Sequence, residues 1–310
     1  MPHKFLPYSR YVFLDLETML GLGGLDDTHP GLPAFFTNYV YNLSLVDFNK
    51  DDQMYLCQPR SAMKTGRGCF SLALNDGFVY VFGGVTGAQE QLTESPDGEH
   101  ESRSQSRGFT EKLSPTCEKY DVENDQWYLI SDLPVPLKNA GACALTSDSI
   151  YLFGGHTILS STEPDAQHRG YALSCVIFQY VIAANIWLEL QVALPQAAAF
   201  MTPVKLNNYQ IVIFGGQLLQ GNKDSPKDGE NQDQTWKVRY DGSEVAAGKQ
   251  VIIFDIRYPR ITFASRQLDE AFLSIYPPFF DRVRNRLLLI NENTGGRNPK
   301  VVPYQIDDLF

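Results

Sequence analysis

The sequence has few of the residues that build metal centres or disulfide frameworks. Its 310 residues include five cysteines and five histidines. No two cysteines form a C-x-x-C pair, and the histidines, at positions 3, 29, 100, 156 and 168, are dispersed without metal-ligand spacing. The sequence therefore predicts no metal site and no bound cofactor.

Long apolar runs are also absent. Asp15 and Glu17 interrupt the best apolar segment near the N-terminus, and nothing approaches the roughly 18 apolar residues of a membrane-spanning helix. We therefore expect neither a signal peptide nor a membrane span. The cysteines sit singly in apolar surroundings, which favours buried, reduced thiols in a cytoplasmic protein.

Basic residues are too few for a general affinity for nucleic acid. The chain carries 36 acidic and 26 basic residues, a formal net charge of −10. Such a balance disfavours binding to nucleic-acid phosphates or to an anionic membrane. With 43% hydrophobic residues, the chain can bury a large core, so it is a globular protein.

Catalytic signatures are missing too. The chain contains no G-x-S-x-G elbow, no P-loop lysine and no dinucleotide fingerprint. The acidic pairs Asp51-Asp52 and Asp307-Asp308 are most simply solvated carboxylates of a turn and of a chain end. We therefore predict no catalytic residues and a non-enzymatic function.

One feature that is present is a recurring glycine pair. Three apolar runs with strand-forming residues each end in Phe-Gly-Gly, at Gly83-Gly84, Gly154-Gly155 and Gly215-Gly216. A glycine pair after a strand can cradle a phosphate, or it can mark a place where the backbone bends or is closely approached. Three copies in one chain favour the bend.

A second signal follows the glycine pairs. Trp127 comes seven residues after Tyr120, and Trp187 comes seven residues after Tyr180. Phe48 with Tyr55 and Phe254 with Ile261 keep that spacing with substituted residues. Each segment is typical of a strand, a short turn and a second strand, so one unit contains four strands.

These residues resemble the kelch repeat, in which a small-residue strand, an apolar strand closed by Gly-Gly, a Tyr strand and a Trp strand form one blade. The style of YDVENDQW is most similar to kelch proteins of unicellular eukaryotes. The resemblance implies an all-β propeller of four-stranded blades in one domain, with five or six blades. Five units are recognisable, at approximately 10–56, 62–133, 138–190, 197–264 and 270–310.

The two ends of the chain match the pattern least well. In the last unit, a leucine-rich strand leads to Gly295-Gly296 and then to Tyr304, and the position expected for Trp lies beyond residue 310. We therefore expect residues 1–10 to close the last blade, with residues 3–8 pairing near Tyr304. The alternative is that the chain is a fragment of a longer propeller.

Variation between units falls in polar insertions after the glycine pairs, at 85–114, after Gly155 and at 217–250. We expect partners to bind there. Trp236 and Tyr240 would anchor a partner or add a strand, and His156 would face the channel entrance or lie in a solvated loop. Arg282, Arg284 and Arg286 would form an acid-recognising patch on one strand face, or a solvated edge or turn.

The sequence thus predicts a non-catalytic protein-interaction scaffold, built into a cytoskeletal or other large assembly or serving as a substrate-recognition module. The insertions and the turns between first and second strands would supply its contacts. A sugar-directed enzyme working at the central channel is the alternative. A cluster of carboxylates and histidine at the channel mouth would favour chemistry, whereas an apolar or aromatic patch would favour a partner.

Overall fold

The computed structural model describes residues 6–15, 17–27, 34–45, 55–89, 109–158, 171–219, 245–281, 284–292 and 299–309. These residues form β-strands and one short 3₁₀ helix, η1 (Ile306–Leu309). The all-β fold class predicted from the sequence is confirmed.

The strands are short, as is usual for sheets built from hairpins. The first twelve, in chain order, are β1 (Arg10–Phe13), β2 (Thr18–Leu22), β3 (Leu25–Asp26), β4 (Phe35–Phe36), β5 (Val40–Leu45), β6 (Tyr55–Arg60), β7 (Ser71–Asn75), β8 (Phe78–Phe82), β9 (Val85–Gln89), β10 (Phe109–Leu113), β11 (Cys117–Asp121) and β12 (Gln126–Ile130). The next ten are β13 (Gly141–Thr146), β14 (Ser149–Phe153), β15 (His156–Ile158), β16 (Tyr171–Leu173), β17 (Ile177–Val181), β18 (Ile186–Glu189), β19 (Ala198–Ala199), β20 (Thr202–Lys205), β21 (Gln210–Phe214) and β22 (Gln217–Leu219). The last six are β23 (Val245–Ala247), β24 (Val251–Asp255), β25 (Arg260–Phe263), β26 (Phe279–Asp281), β27 (Arg286–Asn291) and β28 (Lys300–Gln305).

Most of these strands belong to five antiparallel sheets, which we call blades 1 to 5. Blade 1 has the order β1-β2-β5-β6, blade 2 β7-β8-β11-β12, blade 3 β13-β14-β17-β18, and blade 4 β20-β21-β24-β25. Blade 5 has three strands in the described residues, β26-β27-β28. The predicted four-stranded blade is therefore confirmed for blades 1 to 4.

Successive blades are joined by backbone hydrogen bonds at their inner edge. The residue two positions before the first strand of one blade donates to its equivalent in the preceding blade: Cys69 N to Tyr8 O (3.0 Å), Asn139 N to Cys69 O (2.8 Å) and Phe200 N to Asn139 O (2.8 Å). All four residues have left-handed φ angles, between 54° and 64°. We call this chain of bonds the inner belt.

Each glycine pair of blades 1 to 4 lies where the backbone that leads into the next blade crosses over it. The second glycine donates its N–H to a lead-in carbonyl of the following blade, as in Gly155 N to Ala198 O (2.8 Å). At the first glycine, Gly154, φ is +58° and an added Cβ would overlap that same Ala198 oxygen. The glycine N–H groups are thus used within the protein, so the pairs mark a bend and a close crossing, not an anion cradle.

The core lies between the blades. Buried apolar residues of blade 2 pack on those of blade 3, blade 3 packs on blade 4, and blade 4 packs on blade 5 in the same way. Rings repeat at these interfaces: Phe82 meets Tyr180 (6.0 Å between centroids), and Phe214 meets Tyr304 (5.1 Å). Each blade therefore buries its apolar face only because a neighbour covers it.

A buried ion pair holds the segment between blades 1 and 2 against blade 2. Arg67 and Glu118 have fully buried side chains 2.7 Å apart. The Glu118 carboxylate also accepts from the backbone N–H groups of Lys64 and Thr65, and Arg67 donates to the carbonyls of Gly83 and Thr116. Because both charges are hydrogen-bonded as well as paired, their desolvation is offset within the network.

The described part of the N-terminal segment does not lie where the sequence predicted. Pro7 O accepts from Leu25 N (2.8 Å), and Tyr8 O accepts from Cys69 N. Residues 6–8 therefore run beside blades 1 and 2, away from Tyr304, because Tyr8 occupies the first position of the inner belt. Residues 1–5 lie outside the described residues.

The glycine pair predicted for the last unit is also misplaced. Tyr304 pairs with Leu287, as Tyr120 pairs with Val79, and in blade 2 the first glycine follows four residues later. In blade 5, the fourth residue after Leu287 is Asn291, so Asn291 and Glu292 occupy the two glycine positions. Gly295 and Gly296 lie outside the described residues.

The close crossing at Gly154 yields a stability prediction. We expect Gly154→Ala to lower the free energy of unfolding by roughly 2–5 kcal/mol, because left-handed strain of about 1–2 kcal/mol adds to about 1–3 kcal/mol of overpacking against Ala198. Gly77→Ala is the matched control, since Gly77 also has positive φ but open space around its Cβ position. It should show the strain alone, about 1–2 kcal/mol. Urea denaturation measures both, and equal losses would contradict a crossing that requires glycine.

Candidate functional site

The two ends of the blades form different faces. Each second strand starts at the turn after the first strand and ends at the glycine pair, so the turns and the glycine pairs lie at opposite ends of the blade. Beyond the glycine pairs, strand pairs β3–β4, β9–β10, β15–β16 and β22–β23 extend blades 1 to 4. We call the side that carries these extensions the glycine face. The predicted contact regions, insertions and turns, are therefore on opposite faces.

Two cavities lie on the axis that the blades surround. The smaller one, about 250 Å³, is lined by the first strands of blades 1 to 4 and by the segment leading into blade 5. The larger, about 710 Å³, opens on the glycine face, and we call it the mouth. Arg10 lines both cavities. The mouth is within the size range of ligand pockets.

One wall of the mouth is an ion pair under an aromatic ring. Lys138 Nζ lies 2.9 Å from Glu111 Oε2 and 3.6 Å from the centre of the Tyr171 ring. The Tyr171 hydroxyl donates to the same Glu111 oxygen (3.2 Å). The three residues come from blades 2 and 3, so this contact ties their extensions together at the rim.

His156 is buried in this wall. Its ring stands edge-on to the rings of Phe200 (5.7 Å) and Tyr171 (6.5 Å). Burial, reinforced by the charge of Lys138, lowers the pKa of His156 from its usual 6.5 to about 4. The imidazole is therefore neutral at pH 7, and the expectation of a solvated loop histidine was wrong.

Blade 5 contributes a carboxylate where the other blades have glycine. Glu292 lines the mouth, and its Oε2 accepts from Ile275 N (2.9 Å). Burial raises the pKa of Glu292, against the opposing effects of that hydrogen bond and of Arg10. Asn291 Oδ1 accepts from Leu273 N (3.2 Å). These side chains take over bonds that backbone groups make in the other blades.

The Tyr-Trp pairs lie away from the mouth. Tyr120 pairs with Trp127 and Tyr180 with Trp187 across neighbouring strands, with ring centroids 4.8 and 4.9 Å apart. Each indole N–H donates to a carbonyl of the preceding blade, Trp127 to Ser61 and Trp187 to Ser131. Their contacts are structural.

The other predicted binding residues are not brought together. Arg284 lies in the turn before β27, and Arg286 begins that strand, at the end of blade 5 opposite the mouth. Arg284 and Arg286 do not alternate along one strand. Asn285 between them has a left-handed φ of 47°, which interrupts the extended backbone. Arg282, Trp236 and Tyr240 lie outside the described residues.

The sequence did not point to most of the mouth. Arg10, Glu111, Lys138, Tyr171 and Glu292 come from four blades and share no local motif. The signal that could have found Lys138 and Arg10 is their closeness in sequence to the inner belt, which becomes visible only once the blades are in register.

Other sites are limited in the described part of the chain. It contains no cluster of three His, Cys, Asp or Glu side chains able to hold a metal ion, and none of its helices could cross a membrane. All five cysteines are described, and none of them forms a disulfide; burial raises the pKa of the Cys69 thiol beside the mouth.

Comparison with known proteins agrees with this architecture. No family model matches the chain. Two sequences named kelch repeat and BTB domain-containing protein 2, from cowpox virus strains GRI-90 / Grishak and Brighton Red, are 23% and 25% identical to it over 196 residues. The solved structure of YjhT superposes with a TM-score of 0.61 at 17% identity, over 97% of this chain and 82% of that one. The chain has the fold of a kelch-type β-propeller.

These matches are too partial to assign a function to the chain. The alignment with the two cowpox proteins covers 61% of this propeller but 28% of their length, so the chain spans under a third of these relatives. The likeness to YjhT shows the fold alone. Functional conclusions therefore depend on the kelch propeller's own surface and mouth.

The buried histidine makes stability depend on pH. Because the pKa of His156 is lower in the folded than in the unfolded protein, the unfolded state takes up a proton first as pH falls below 6.5. We expect His156 to contribute a loss of about 2 kcal/mol in unfolding free energy between pH 7 and pH 5.

The control is His156→Gln, denatured with urea at both pH values. The loss between pH 7 and pH 5 should be smaller in this variant than in the wild type by about that amount. The same pH dependence in both proteins would show that His156 titrates normally.

Proposed function

We propose that this kelch propeller is a non-catalytic protein-interaction module that docks its partner on the glycine face, around the mouth. The observation that carries the proposal is the mouth itself: a cavity of about 710 Å³ to which all five blades contribute. The inner belt and the interblade cores hold these contributions in fixed positions, which lowers the entropy lost on binding.

Two exposed aromatic residues lie on the glycine face. Tyr8, which lines the cavity, and Phe35, on β4, are exposed by 46% and 37%. The Tyr8 ring also lies 6.4 Å from the ring of Phe36, the neighbour of Phe35 in β4. We call Tyr8 and Phe35 together the aromatic edge. Aromatic side chains of this kind dominate binding energy at protein interfaces.

The described residues on either side of the insertions lie on the same face. The segment 220–244, with Trp236 and Tyr240, starts and ends at the paired residues Leu219 and Val245, on the glycine face. The segments 90–108 and 159–170 are tethered in the same way by β9–β10 and β15–β16. We propose that Trp236 and Tyr240 contact the partner together with the mouth.

The partner class is the finer part of the proposal. The cowpox relatives join kelch repeats to a BTB domain by name, which supports a recognition module within a larger assembly. We propose such a role in the cytoplasm, either with a cytoskeletal partner or in substrate recognition. Binding to basic partners suits the net charge of −10.

A second candidate is a sugar-directed enzyme, favoured by the convergence of Arg10, Glu111, His156 and Glu292 on one cavity. Acid–base catalysis needs a group that titrates near the working pH. His156 has a pKa of about 4 and packs against aromatic rings, while Glu111 is engaged by Lys138 and Tyr171. This arrangement supports binding over chemistry.

The experiment is affinity capture with a matched pair of variants. Tyr8→Ser combined with Phe35→Ser removes the aromatic edge and should abolish recovery of the partner seen with wild type. Tyr258→Ser is the control, because Tyr258 is 71% exposed but lies in the β24–β25 turn on the opposite face. Circular dichroism checks that all three proteins fold, and co-sedimentation with actin filaments tests the cytoskeletal option.

Equal recovery of the partner by wild type and the double variant would contradict docking at the mouth. Loss with Tyr258→Ser instead would place the interface on the turn face. Turnover of a sugar by the wild-type protein would favour the enzymatic candidate.

A further inference from the structure

Arg10 is a buried cation at the base of the mouth. It begins β1, is 8% exposed, and lines both the mouth and the smaller cavity beneath it. A guanidinium in such a position loses most of its hydration, and burial accordingly lowers the pKa of Arg10. The loss is costly unless the charge is paired and its N–H groups are hydrogen-bonded.

The protein satisfies this cation only in part. One terminal nitrogen of Arg10 donates to Ser9 O (3.0 Å) and the other to Asn139 Oδ1 (2.6 Å). Both acceptors are neutral, and among the described residues no carboxylate forms an ion pair with Arg10. An arginine has five N–H donors, so donors remain available on the side of the cavity.

The other buried arginine shows how the same chain satisfies a guanidinium fully. Arg67 makes an ion pair with Glu118 and further bonds to the carbonyls of Gly83 and Thr116, and it lines neither of the two cavities. Arg10 has the burial of Arg67 without the counter-ion. The difference is the cavity, which leaves room for a counter-ion that comes from outside.

The surroundings favour a single negative charge. Glu111 and Glu292 also line the mouth, and their field opposes a dianion such as phosphate. Lys138 is already occupied by Glu111 and Tyr171. A planar carboxylate matches the fork of one guanidinium, and the rings of Tyr8, Tyr171 and Phe200 can cover the body that carries it.

We propose that Arg10 is the anchor of a carboxylate-binding site at the base of the mouth, with Asn139 orienting its guanidinium. The inference rests on the proposed function in placing the ligand on the glycine face. The carboxylate would come from a free organic acid or from an acidic side chain of the docked partner; both present the same group to Arg10.

The test is a titration of the whole chain with small carboxylates at constant ionic strength, followed by thermal unfolding and calorimetry. The probes are acetate, glucuronate and the α-amide of N-acetylglutamate, which keeps its side-chain carboxylate free. Inorganic phosphate serves for comparison. We expect saturable binding of the carboxylates and a rise in melting temperature. Tighter binding of glucuronate would indicate a free acid, whereas tighter binding of the glutamate derivative would indicate a partner's side chain.

Variants assign the effect to the site. Arg10→Met should weaken carboxylate binding about ten-fold or more, the loss of a charge-assisted hydrogen bond. Glu292→Gln keeps Arg10 but removes a carboxylate that competes with the ligand for Arg10, so it should bind the carboxylates about two- to five-fold more tightly. Arg257→Gln, at a half-exposed arginine in the β24–β25 turn, is the control and should bind as wild type does.

Three results would overturn the inference: no saturable carboxylate binding by wild type, phosphate binding more tightly than every carboxylate, or unchanged affinity in Glu292→Gln. The last keeps the test decisive if Arg10→Met does not fold. Partner capture that depends on Tyr8 and Phe35, together with a failed titration, would overturn the carboxylate site while leaving the docking surface in place.

Discussion

The structure depends on one repeated contact, the crossing of each blade's glycine pair by the backbone that leads into the next blade. At Gly154-Gly155 the crossing strand brings a carbonyl so close that only glycine fits, and the second glycine donates to that carbonyl. The inner belt forms beside it, through Tyr8, Cys69, Asn139 and Phe200. Together these bonds set the spacing of the blades and leave the axis open.

The mouth results from the backbone crossings of blades 1 to 4 and from the departure of blade 5 from that pattern. Backbone bonds join blades 1 to 4 at the axis, so their side chains near the belt, such as Lys138 and His156, are held in one wall. Blade 5 departs from the pattern because Asn291 and Glu292 stand where glycine would be, and Glu292 N donates within its own blade, to Leu273 O (2.9 Å). Blade 5 meets blade 1 instead through the stacked rings of Tyr11 and Tyr276, 5.9 Å apart. The carboxylate of Glu292 lines the mouth together with Arg10 because the repeat is broken there.

The sequence was informative where chemistry is local and repeated. The glycine pairs and the Tyr120–Trp127 spacing recur because each blade solves the same packing problem, so they could be found in one chain. Glu292 could not be found in this way, because the nearby pair Gly295-Gly296 looks like the glycine pair of the last blade. Only the pairing of Tyr304 with Leu287 shows that Asn291 and Glu292 occupy those positions. Arg10 and Glu111 line the same cavity from blades 1 and 2, and no local sequence pattern indicates that two such distant residues share a site.

Residue-resolved amide hydrogen exchange can test whether the backbone crossings between blades fix the propeller. The N–H groups of Cys69, Asn139 and Phe200 bond between blades at the inner belt, so they should exchange only through global unfolding, with the same free energy as denaturation. The Glu292 N–H, at the junction of blades 5 and 1, should exchange faster through local opening. Fast exchange at the inner belt, or protection of Glu292 equal to that of the belt, would contradict the claim that backbone crossings between blades 1 to 4 fix the propeller and its mouth.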